Sequence, residues 1–338
     1  MMTEKNYGGS SGFGFKEKTM KSQHKHEHIH PESKSKKDKE ESYFSKEEIS
    51  KLEQAGKIAS EVVKYAITIA KPQVPLLELA EKIEYKIIEL GGLPAFPVNL
   101  SINEVAAHST PAYDSEEKAH GLLKIDLGVH ISGFVADTAI SIDLENSKEN
   151  KSLIEAAQSA LKKAAEKIKL NSPLKELGSV IEKEIKSLGF QPIANLSGHS
   201  IDQYNLHAGI TIPNFDNSQS LELPQGVYAI EPFTTNGSGS VRDGKPSGIY
   251  HLESANPVRD SFAREVLEYI AENYQTLPFC SRWLVKKFGT RALIALKRLE
   301  EANCLHSYPQ LIEKSKGIVA QAEHTILLTE KEKIITTL

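Results

Sequence analysis

Apolar residues recur at helical spacing from residue 45 onward. In "SKEEISKLEQAGKIASEVVKYAITIAKP", Ile49, Leu52, Ile58, Val62 and Ile69 mark one helix face. Ser45 with Glu48 three residues on is a capping box, and Pro72 stops the run, so the pattern predicts a helix over Ser45–Ala70. A second helix is predicted over Pro75–Leu90, closed by Gly91-Gly92. The segments "PLLELAEKIEYKIIELG" from Pro75 and "PLKELGSVIEKEIKSLG" from Pro173 align without gaps, and Pro94 falls at the same offset as Pro192. A long helix precedes each copy, the second over Asn150–Leu170. The chain therefore reads as two related α/β halves, each a helix pair followed by strands. A site between two such halves is a natural place for a ligand.

Residues 122–142, "LLKIDLGVHISGFVADTAISI", read as two strands turning near Gly133. Residues 256–317 are mainly helical and contain the only tryptophan, Trp283. The last segment, "GIVAQAEHTILLTEKEKIITTL", returns to strand composition. A compact helical insertion of helix–turn–helix, winged-helix-like character ahead of a closing strand accounts for this better than a separate C-terminal domain.

Several polar residues break the apolar pattern. Asp126 and Asp137 stand where strands want hydrophobic side chains, and an unpaired buried carboxylate costs several kcal/mol. On paired strands the two can share a face, where they would repel unless a cation joins them. "NLSGHSIDQYNLHAG" carries His199 and His207 close to glycines, "GVYAIEPF" places Glu231 at the end of an aliphatic strand, and "VAQAEHTILL" puts Glu323 in mid-strand. Four carboxylates and a histidine aimed at one core suit two divalent ions such as Mn, Fe, Co or Zn rather than a structural zinc. Two such ions generate a hydroxide nucleophile at neutral pH, which points to hydrolysis. His108, on a loop before the hairpin, has no partner in its own segment and by itself reads as a surface histidine.

Composition narrows the setting. The net charge of -4 gives no bulk attraction to nucleic acid or anionic lipid, and the slightly positive insertion is read as structural rather than DNA-binding. No apolar run approaches the roughly 18 residues of a membrane span, and the start has no apolar signal segment. With two isolated cysteines, Cys280 and Cys304, the expectation is a cytoplasmic chain with free or buried thiols. Residues 1–43 are Gly/Ser-rich and then Lys/Glu/His-rich, too poor in aliphatic residues to offset ordering entropy, so a disordered tail is expected there. Its alternating His24, His26, His28 and His30 could bind metal weakly, but a solvated polar tail accounts for them.

Taken in order, "AFPVNLSINEVAAHSTP", "KIDLGVHISGFVADTAISI", "GHSIDQYNLHAG", "AIEPF" and "AQAEHTILL" resemble the methionine aminopeptidases, specifically the type 2 enzymes of archaea and eukaryotes. The resemblance spans residues 44–338 as one catalytic domain, with residues 256–317 as the helical insertion of that type. It implies the pita-bread α/β (α+β) fold, two pseudo-symmetric halves around a dinuclear site. It implies Asp126, Asp137, His199, Glu231 and Glu323 as ligands of two divalent metal ions (Co, Mn, Fe or Zn). Asp137 and Glu323 would hold one ion with Asp126, while Asp126, His199, Glu231 and Glu323 would surround the other. His108 and His207 would contact the substrate and the tetrahedral intermediate, Glu231 would carry the proton to the leaving amine, and Phe96 and Leu206 would line the methionine pocket. The implied activity is removal of the initiator methionine when the second residue is small, from nascent polypeptides at the ribosome, by a monomer. His251 falls where an apolar residue is expected, and its role stays open. A prolidase-like peptidase of the same fold and a non-catalytic ribosome- or RNA-binding relative are the alternatives. The second should have lost ligands, and none is missing here.

Overall fold

Helix α1 (Lys46–Ile69) starts where local chemistry says it should. The Ser45 hydroxyl accepts from the Glu48 N–H while the Glu48 carboxylate accepts from the Ser45 N–H. The computed structural model describes residues 43–338, so the tail expected over 1–43 lies outside the described residues apart from Tyr43. Leu52, Ile58 and Val62 of the expected stripe are buried, and Ala55, Ala59 and Ala66, buried as well, let the helix lie close on its sheet. The first half continues with α2 (Leu76–Glu89), β1 (Leu93–Pro94), β2 (Asn99–Ile102), β3 (Val105–Ala107), β4 (Leu122–Ile131) and β5 (Phe134–Asp143). The second half runs through α3 (Lys148–Lys167), α4 (Leu174–Ser187), β6 (Gln191–Pro192), β7 (Ser197–Ile201), β8 (Thr211–Pro213), β9 (Gly226–Ile230) and β10 (Phe233–Thr235). Five of its boundaries are those of the first half displaced by one constant spacing: Ile69 to Lys167, Leu76 to Leu174, Glu89 to Ser187, Pro94 to Pro192 and Asn99 to Ser197. The sequence repeat is thus a structural repeat.

Each half has its own core. Helices α1 and α2 pack on the sheet in which β4 pairs with β1, β2 and β5, while α3 and α4 cover the second sheet. A third apolar cluster, with Phe96, Phe134, Ile201, Leu206 and Val227, joins residues of both halves. The β4–β5 connection is a two-residue turn, Ser132-Gly133, with both φ positive (51° and 85°), the geometry that keeps strand twist continuous across a tight hairpin.

After β10 the chain makes β11 (Val241–Leu252), then α5 (Ser261–Asn273), β12 (Phe279–Cys280), α6 (Ser281–Phe288), α7 (Ala292–Glu301) and β13 (Leu305–Glu313). The insertion's helices have their own buried set, including Val266, Phe279, Leu284 and Leu299. The helical stretch read over 256–317 is shorter in the structure. Residues 305–313 form a strand held between β11 and β3, because pairing on both edges outweighs local composition. The closing segment also differs from the single strand expected. It divides into β14 (Val319–Gln321), paired with β10, and β15 (His324–Leu328), paired with β9 and with β16 (Lys333–Ile335). Glu323 therefore stands at a switch between two sheets, bridged to Ala139, rather than inside one strand. Cys280 and Cys304 are buried free thiols. Among the described residues no helix is long and apolar enough to cross a membrane.

Candidate metal centre and substrate pocket

Strand register places the first two carboxylates. Asp126 stands opposite Ala139 and Asp137 opposite Gly128, so the two side chains are diagonal neighbours on one face of the hairpin. The second half supplies the facing wall. His199, Ala229 and Thr325 form one row across β7, β9 and β15, and the pair Ile230–His324 sets Glu231 and Glu323 opposite each other one step further on. Alternation then puts His199, Glu231 and Glu323 on the same face.

Buried hydroxyls lock the two walls together. Thr325 Oγ1 accepts from the Asp137 N–H at 2.7 Å and donates to the Asp137 carbonyl at 2.8 Å. Thr138 donates to the Glu323 carbonyl at 2.9 Å, and Ser141 exchanges two bonds with the Gln321 backbone. As a result, one ligand atom each from Asp137, His199 and Glu323 lie within 4.8 Å of one another. His199 Nε2 is 3.8 Å from both Asp137 Oδ2 and Glu231 Oε1. Gln321 Nε2 donates to Glu231 Oε2 at 3.3 Å. This close triad puts Asp137 and His199 side by side, although the family resemblance assigns them to different ions.

The electrostatics follow from confinement. Burial pushes Asp126 up to about 7. Burial, then the neighbouring carboxylates, push Asp137, Glu231 and Glu323 well above the usual range. Burial, then His207, lowers His199 to about 3, so its imidazole is neutral and able to ligate. Asp126 Oδ1 and Asp137 Oδ1 are buried without any hydrogen-bond partner. Four confined carboxylates, two of them with an orphaned oxygen, beside a neutral imidazole fit divalent cations, whose charge would offset the repulsion.

The pocket around this group has a volume of about 310 Å³ and holds all nine residues singled out from the sequence: Phe96, His108, Asp126, Asp137, His199, Leu206, His207, Glu231 and Glu323. Phe96 lies across Gly128, where a Cβ would come within 2.4 Å of the ring. His207 packs edge-on to His199, ring centroids 4.5 Å apart, and burial, then His251, lowers its pKa. His108, far from being a free surface residue, has φ +56°, and its Nδ1 contacts the Pro309 carbonyl at 3.3 Å. Burial, then His207, lowers it to about 4. His251 lies on β11 opposite His306, its ring 5.4 Å from that of Tyr308, which lines the pocket.

Asn99, Gln321 and Tyr308 belong to the site and were not singled out from the sequence. Only Gln321 left a signal there, a polar residue in the apolar run before Glu323.

Residues 50–330 match the sequence profile of metallopeptidase family M24. The methionine aminopeptidase of Pyrococcus abyssi is 48% identical over 296 residues, covering 86% of this chain and 99% of that one. Among solved structures, a thermophilic Arx1 superposes with a TM-score of 0.74 at 15% identity, covering 87% of this chain and 91% of its own. The methionine aminopeptidase of Thermotoga maritima gives a TM-score of 0.63 at 21% identity, covering 87% and 98%. At such identities the two structures bear on the fold alone.

Proposed function

Because the chain belongs to metallopeptidase family M24 and, within it, to the methionine aminopeptidases, we propose that Asp126, Asp137, His199, Glu231 and Glu323 hold two divalent ions and that the neighbouring pocket takes an unblocked N-terminal methionine. The observation that carries this is the meeting of four carboxylates, Asp137 and Glu323 buried and Asp126 and Glu231 half-buried, with a neutral imidazole beside the apolar wall of Phe96 and Leu206. Cations such as Mn, Fe, Co or Zn would supply Lewis acidity and an activated water at neutral pH.

The remaining roles fall to the chain's own groups. Gln321 engages Glu231 Oε2, which leaves Oε1 to take up a proton and pass it to the leaving amine. His108 donates from Nδ1 to the Pro309 carbonyl, which leaves Nε2 as the acceptor of a ring that lines the pocket. His207 stands across from it to meet charge developing on the scissile carbonyl. Phe96 gives the thioether an aromatic partner, and an unbranched methionine fits beside it where a β-branched side chain clashes. A small second residue lets the scissile carbonyl approach the carboxylates closely. The biological substrate in this reading is the initiator methionine of nascent polypeptides, removed in the cytoplasm at the ribosome by a monomer.

The test is the rate of amino-acid release from Met-Ala, Met-Leu, Leu-Ala and Ala-Pro peptides with Mn or Co supplied. Met-Ala should be cut fastest and N-acetylated peptides not at all. His207→Ala should lower kcat about a hundredfold with little change in KM. Equal rates on Met-Ala and Met-Leu would refute selection for a small second residue, and an unchanged kcat would remove His207 from the reaction. Preference for Ala-Pro would favour a prolidase-like specificity.

A further inference from the structure

We propose that the helical insertion positions the substrate wall through a buried ion pair, Glu84 of α2 with Arg282 of α6, and that these two are positioning residues for methionine selection. The pair is bidentate: Arg282 Nη1 donates to Glu84 Oε2 at 2.7 Å and Nη2 to Oε1 at 2.8 Å. Glu84 is 7% and Arg282 3% exposed, which leaves little room for water to substitute for a lost partner. Trp283 Nε1 also donates to Glu84 Oε2, at 2.9 Å.

Joining α2 to α6 requires only those contacts. The other bonds of the pair go elsewhere, to the two ends of one segment. At its start, Glu84 Oε1 accepts from the Val98 N–H. At its end, Arg282 Nε donates to the Pro111 carbonyl, and Nη2 donates to Thr110 Oγ1, which in turn donates to the Val98 carbonyl. Between these ends the chain carries Asn99, Ala107 and His108, and Phe96 lies just ahead of them; all four line the pocket. His108 has a positive φ, a backbone state that its surroundings must enforce. The insertion also reaches the pocket directly through Pro278.

The internal repeat sharpens the assignment. Glu182 is the counterpart of Glu84 in the second helix pair, and it too accepts from a backbone N–H, that of Asp216. Its partner is Lys186 of its own helix. The first half differs because the insertion adds Arg282 across the same position.

This inference rests on the reading that Phe96 and His108 face the methionine, so Phe96→Ala is measured beside the clamp variants. The experiment uses the full-length metal-loaded enzyme carrying Glu84→Gln, Arg282→Lys or Thr110→Val. For each variant folded at the assay temperature, kcat and KM are measured on Met-Ala and Leu-Ala, and metal affinity by calorimetry. Positioning predicts that Arg282→Lys raises KM for Met-Ala about tenfold and cuts the Met/Leu preference by a similar factor, with metal affinity within twofold. Thr110→Val, the mildest change, should move both the same way by a few-fold, and it carries the test if the charged variants do not fold. Unchanged KM and preference in the folded clamp variants, with Phe96→Ala altering both, would overturn the clamp and leave the pocket standing. No effect from Phe96→Ala would overturn the pocket assignment itself. A large change in metal affinity with preference intact would also overturn the clamp, because the pair would then act on the metal group.

Discussion

Glu313 offers a quantitative test of how the fold holds its second half. It ends β13 fully buried, and its carboxylate accepts from the Ser238 N–H and hydroxyl, both at 2.6 Å, the Ser315 N–H and hydroxyl at 2.7 and 2.8 Å, and the Gly317 N–H at 2.9 Å. Burial alone raises its pKa, but these five hydrogen bonds outweigh burial and hold the group at about 2, below the ordinary 4.5. A depressed folded-state pKa means the stabilisation is complete above the unfolded value and disappears as pH falls through the folded one. The depression is worth roughly 3 kcal/mol at neutral pH. Glu313→Gln should therefore lower the unfolding free energy by about 3 kcal/mol at pH 7, and the gap to wild type should close as pH falls from about 4.5 to about 2. Urea unfolding of both metal-free proteins across that range measures it, and comparison at each pH cancels groups that titrate alike in both. A gap under about 1 kcal/mol at neutral pH, or one that persists unchanged to about pH 2, would refute the argument.

Two further outcomes test the site. Gly128→Ala would bring a Cβ to 2.4 Å and 2.7 Å from Phe96 ring atoms; the ring must shift, so KM for Met-Ala should rise several-fold and stability fall by about 1–3 kcal/mol, with metal stoichiometry unchanged. An unaltered KM would show that the Phe96 position does not matter to binding. Glu323→Gln should have opposite effects with and without metal. Removing one of four crowded carboxylates should raise the melting temperature of the metal-free protein, whereas the rise that added Mn or Co gives wild type should be lost. A variant that metal stabilises as strongly as wild type would exclude Glu323 as a ligand.

The sequence by itself determined what depends on neighbours along the chain. The capping box at Ser45, the stops at Pro72 and Gly91, and the repeated helix pair set the frame, because each is a short-range signal. The carboxylates were legible for a different reason: a charge in an apolar strand breaks a local rule, so Asp126, Asp137, Glu231 and Glu323 stand out without knowledge of the fold. What the tertiary structure decided depends on pairing between distant segments. Strand composition cannot reveal that residues 319–328 leave one sheet for another at Glu323, since that follows from which edges β10 and β9 present. Tyr308 and Asn99 do not stand out in sequence, because tyrosine is common in strands and asparagine is common at strand ends and turns, until register puts them at a pocket. Glu84 and Glu182 show the limit most directly. They occupy the same place in two aligned helices, yet Glu84 is buried against Arg282 while Glu182 remains partly exposed beside Lys186. Local sequence gives both the same helical position; the difference arises because the insertion packs on only one of them.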